Sequence, residues 1–98
     1  MILTTTNSIE GHKIQDYLGI VTGVSTNVKT SFSFKSEKNK KLYEDFINKT
    51  KEAAFQSLKE NANKLKANAV VGISIDIEAS STSYFFVSIT GTAVKVSI

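Results

Sequence analysis

The apolar positions of this 98-residue chain change their period along its length, and each change marks an element. Met1 to Thr6 is rich in β-branched types and predicts a short strand. Asn7-Ser8 and Glu10-Gly11 carry turn chemistry. From Lys13 through Val24 the pattern predicts a second strand, with Leu18, Ile20, Thr22 and Val24 on one face and Gly19, Val21 and Gly23 on the other. Two glycines on one face imply a close approach by another backbone or a large side chain, or else a bulge. Ser25 to Phe34 puts Ser, Thr, Asn and Lys between apolar residues and reads as an irregular extension or exposed loop. Phe32 and Phe34 are then placed to cover a sheet edge.

Ser36 can cap the segment that follows, although no Glu or Gln stands at the third helical position. From about Glu37 to Lys66 there is no Gly or Pro. Tyr43, Ile47, Thr50, Ala54, Leu58, Asn61 and Leu65 recur at spacings of three and four, while Leu42, Phe46, Ala53 and Ala62 widen the stripe. This predicts a helix of roughly 30 residues and about 45 Å, well beyond the average of about a dozen residues. On so small a domain such a rod must project past its own core or be covered by a neighbour.

The next strand spans Val70 to Glu78. Val71, Ile73, Ile75 and Ile77 would form one apolar face, and Val70, Gly72, Ser74, Asp76 and Glu78 the other. Ala79 to Thr82 is a small polar turn, and Ser83 to Ile98 reads as strand throughout. There Phe85, Val87 and Ile89 are in phase, whereas Val94, Val96 and Ile98 are in the opposite phase. The switch near Gly91 is what a bulge produces; the alternative is that both faces are covered there. The fold class is therefore α+β, a β-β-α-β-β protomer with one long helix packed on an antiparallel-rich sheet and a C-terminal hairpin. The long last strand, with its Tyr84-Phe85-Phe86-Val87 run, would make a hazardous exposed edge that self-association can protect. Ala67, Ala69 and Gly72 are expected to be small so that helix and strand can approach closely.

Composition narrows function more than it supplies one. The length fits one domain over residues 1–98. The absence of Cys rules out disulfides, thiolate metal sites and cysteine nucleophiles. The charge of +3 comes from lysines alone, and a chain without Arg lacks the usual residue for bidentate phosphate and guanine contacts, so a nucleic-acid partner is not expected. No basic segment precedes an apolar run as in a signal peptide, and no apolar run approaches the ~18 residues of a membrane span. A cytoplasmic protein with no membrane association is the expectation.

Several blocks stand in a recognisable order: Ile9-Glu10-Gly11, Tyr17 to Gly23, Ala54-Phe55, Leu58, Ala62, Leu65, Ala67 to Ile73 and Val87 to Val94. With them the chain resembles the YbjQ-like family of small bacterial proteins, over nearly everything except about Ser25 to Leu42. The resemblance implies a dodecin-like or YbjQ-like protomer assembled as a ring, a homopentamer, with a heavy-metal-binding label and no established catalytic residues. The sequence departs from the family pattern at Lys66, where a glycine is usual, at Asn68, where an aspartate is usual, and at Val24, where a Glu is common. A Gly-Gly-Arg-Ser-type segment ahead of the helix is replaced by a shorter Lys- and Ser-rich stretch.

Soft-metal binding needs thiolate or imidazole ligands. The chain offers one His, His12, two residues from Glu10, and an acidic pair, Asp76 and Glu78, on one strand face. These four are the candidate metal ligands, and surface charge with a turn residue is their ordinary account. Any site they built would be hard and weak rather than soft and tight. No nucleophile–base–orienter grouping and no phosphate loop is visible, so catalysis is not expected and no cofactor is implied. The helix lysines alternate with Glu37, Glu44, Asp45, Glu52 and Glu60, the pattern of a solvated face; an anion-binding surface multiplied around a ring is the alternative. The sequence thus favours a non-catalytic homo-oligomeric module, with room for a small ligand or for weak divalent-metal or anion binding between subunits.

Overall fold

The computed structural model describes residues 1–28, 37–80 and 84–97. The expected cap at Ser36 and the edge-covering Phe32 and Phe34 lie outside these. The elements follow the expected order: β1 (Ile2–Leu3), β2 (Ile14–Val28), α1 (Glu37–Lys64), β3 (Ala69–Ser80) and β4 (Tyr84–Val96). They form one four-stranded sheet in the order β1-β3-β4-β2, with β1 parallel to β3 and the other pairings antiparallel.

Helix α1 lies on one face of this sheet, over β2 and to a lesser extent β4. Thr50, Ala54, Leu58 and Ala62, four residues apart, are its buried row. Beneath them sit Val21, Val70, Ile73, Val87, Ile89 and Ala93. Gly23 is where the two layers meet. A Cβ there would collide with the carbonyl oxygen of Ala54 and lie 2.6 Å from the Leu58 amide nitrogen, so the backbone approach expected from the glycine pair is real. Gly19 has a different task, holding φ 136° beside the register shift between Tyr17 and Gly19. That shift turns Leu18 toward the helix-side core and leaves Ile20, Thr22 and Val24 on the open face.

Four expectations are corrected. No bulge interrupts β4 at Gly91; the shift lies in β3, where Gly72 and Ile73 together oppose that glycine. Gly91 is small because a Cβ would meet Val70 Cγ1 at 2.6 Å. The bulge also splits the supposed apolar face of β3, sending Val70, Ile73, Ile75 and Ile77 to the helix side and Val71 to the other. The second phase of β4 is instead explained by cover on both faces: Val94 and Val96 join Ala69 and Val71 in a smaller cluster under Ile2, Ile9 and Ile14. Gly72 does not admit the helix either; it takes φ 61° next to the Asn7 side chain. Finally, β4 is no edge, since it is flanked by β3 and β2. The helix itself spans about 42 Å over 28 residues, and its described buried residues run from Thr50 to Ala62.

The helix ends two residues before the expected Lys66, in a Schellman turn. Ala67 N–H donates to the Ala62 carbonyl at 3.1 Å and Lys66 N–H to that of Asn63 at 2.9 Å. Lys66 occupies the left-handed position of that turn at φ 63°.

Candidate functional site

The single histidine is built into the junction of the two chain ends. A bridge between Ile9 and His12 folds the N-terminal segment back before β2. Lys13 N–H then donates to Ser97 Oγ at 2.9 Å, and Ser97 N–H to the Lys13 carbonyl at 2.8 Å. His12 Nδ1 lies 2.7 Å from the Ser97 carbonyl oxygen. A carbonyl can only accept, so the proton sits on Nδ1 and Nε2 is the nitrogen left for another partner. This is the orientation in which histidines bind metals.

Its expected companions are not gathered around it. Glu10 is exposed on the adjoining turn. Asp76 and Glu78 are paired with Ser88 and Phe86, on the open face of the sheet's opposite half. Nine strand residues separate Ser88 from Ser97, about 30 Å. Among the described residues, no three His, Cys, Asp or Glu side chains come close enough to hold an ion together. Within one chain the four candidates form two separate places.

Two asparagines carry structural chemistry instead. The Asn68 amide brackets Val96, donating from Nδ2 to its carbonyl at 2.9 Å and accepting its N–H at Oδ1 at 2.8 Å. A carboxylate could not make the first bond, which accounts for Asn where Asp was the expected residue. Asn61 donates to the Thr22 carbonyl at 2.7 Å, tying the helix to β2. Its polar side chain within the apolar stripe was the available signal for such a bond.

What sequence reasoning placed wrongly is the exposed apolar surface. On the open face of β2, Tyr17 is 69% and Ile20 78% exposed. On the helix side of β3, Ile75 is 41% and Ile77 46% exposed. Among the described residues the outer side of β2 has no neighbouring strand, and β3 has one only at Ala69 and Val70. Thr4 and Thr6 carry that cover as far as Ile73 and Gly72 through single hydrogen bonds. Among the described residues no helix is long and apolar enough to cross a membrane.

Known proteins share this layout. A family model described as "Putative heavy-metal-binding", that of the YbjQ family, matches residues 1–97. The UPF0145 protein of Halalkalibacterium halodurans is 38% identical, over 98% of this chain and 96% of the relative. The UPF0145 protein of Anoxybacillus flavithermus is 37% identical over 98% of both. A crystal structure of a DUF74-family protein of unknown function from Pediococcus pentosaceus is similar at TM-score 0.74 and 20% identity, covering 99% of this chain and 98% of that one, and so supports the fold. By sequence over nearly its whole length, the chain belongs to the YbjQ family.

Proposed function

We infer that this protein is a non-catalytic homo-oligomeric module of the cytoplasm, a pentameric ring whose assembled surface serves as a scaffold or a small-ligand platform. The observation that carries this is the pairing of bare strand edges with exposed apolar side chains, a combination that folded monomers avoid. The radius of gyration agrees: 16.1 Å, against about 13 Å for a compact domain of this length. Light scattering behind size exclusion at micromolar concentration should give five times the mass of one chain. A single-chain mass would remove the proposal.

A second reading is weak divalent-metal or anion binding between subunits. It draws on the anchored His12 imidazole and on the family description. One histidine per chain is too few for a tight site, but a ring repeats it around an axis. Calorimetry with zinc should give heat that disappears in His12→Ala; equal heat from both proteins, or none from either, would exclude His12.

A further inference from the structure

We propose that Asn7 is a site of spontaneous covalent modification, the asparagine at which the folded chain is first converted, through a succinimide ring, to aspartate and isoaspartate.

The chemistry needs a side-chain amide that can swing toward the backbone nitrogen of the next residue, and a next residue that does not crowd the attack. At this position the Ser8 nitrogen attacks Cγ of Asn7. The bond from that nitrogen to Cγ forms, the bond from Cγ to Nδ2 breaks, and the amide group leaves as ammonia with the proton lost from Ser8. Water then opens the ring. Attack at Cγ gives aspartate; attack at the backbone carbonyl carbon gives isoaspartate, in which the main chain runs through the former side chain.

The fold selects among the asparagines at positions 7, 27, 39, 48, 61, 63 and 68. Asn39, Asn48, Asn61 and Asn63 lie within α1, where the repeating helical backbone keeps Cγ away from the next nitrogen. Asn61 also spends its amide on the Thr22 carbonyl. Asn27 is held in β2 opposite Phe85 and is followed by the β-branched Val28. Asn68 is fixed through both amide atoms to Val96. Asn7 alone is an exposed asparagine outside helix and strand, in a bend between β1 and β2, and exposed Ser8 follows it with a short, unbranched side chain. The neighbour beneath is Gly72, which has no Cβ to wedge the amide in place; one would stand 3.4 Å from Asn7 Oδ1.

The product changes the segment that carries it. Thr6 accepts the Gly72 N–H at 2.8 Å and donates its hydroxyl to the Ser8 carbonyl at 2.6 Å, so Asn7 stands between anchored neighbours. Either product adds a carboxylate there, and isoaspartate adds one backbone atom. Slack then enters the segment joining Ile2 to Ile9, the residues that cover Ala69, Val71, Val94 and Val96.

The folded chain is held in warm, mildly alkaline buffer, sampled over days and digested with trypsin. The peptide Met1 to Lys13 carries Asn7 as its one amide side chain. It should gain about one mass unit and split into two products of equal mass on reversed-phase chromatography, several-fold faster than any other asparagine peptide converts. The same incubation in urea should speed the other asparagines and leave Asn7 nearly unchanged. Ser8→Val should slow Asn7 several-fold, because a β-branched neighbour crowds the attack. Another asparagine converting first, or Asn7 converting several-fold faster in urea than in the folded chain, overturns the proposal. Wild-type conversion in Ser8→Val overturns the succinimide route and with it the proposal.

Discussion

Lys66 holds a backbone conformation that costs an L residue about 1–2 kcal/mol. The Schellman turn needs that conformation to satisfy the Ala62 and Asn63 carbonyls, so the chain bears the cost at a position where glycine would not. Glycine also loses more freedom on folding, which returns part of the gain. Lys66→Gly should therefore raise stability by about 1 kcal/mol, seen as an upward shift of several degrees in the thermal midpoint. The departure at Lys66 was legible in the sequence; its conformational meaning required the helix to end where it does. The same limit applied to the early glycines. Their spacing announced a close approach or a bulge, and the structure contains both: the helix rests on Gly23, and the register shift falls at Gly19.

At the scale of elements, the helix and four strands could be read from periodicity because buried rows recur every four or two residues. The facing of β3 could not. Val71, Ile73, Ile75 and Ile77 alternate without a flaw, yet one residue of bulge at Gly72 places Val71 on the far side. The doublet Val70-Val71 before a glycine was the only hint, and an apolar doublet also fits a strand covered on both faces. Where β3 begins, the Asn68 side chain extends the ladder, bonding Val96 through both amide atoms. Asn68→Asp would remove the donor and bring a carboxylate oxygen against the Val96 carbonyl. It should cost about 1–3 kcal/mol in urea unfolding at neutral pH. An unchanged midpoint would mean that the pair adds nothing to the adjoining backbone bonds.

At the scale of the whole molecule, the sequence suggested association for a reason the structure moves elsewhere. The aromatic run Tyr84 to Val87 looked like a dangerous edge, but β4 is the inner strand, and the open edges belong to β2 and β3. Edge or centre is decided by pairings between residues far apart in the chain, which local pattern does not encode. The candidate metal ligands are separated within one chain for a related reason: Glu10 and His12 are neighbours in sequence, while Asp76 and Glu78 are carried to the other end of the sheet.

The inner position of β4 also sets the order in which the molecule can assemble. β2 and β3 each need β4 beside them, yet β4 follows both in the chain, with Tyr17 pairing to Val94 across the whole helix. During synthesis, β2 is made long before the strand that will hold it, and it must wait with Leu18 and Val21 uncovered. Local helix formation can proceed in that interval, but the sheet cannot close. The late arrival of one strand makes this a chain whose nascent form is most in need of chaperone shelter just before β4 emerges.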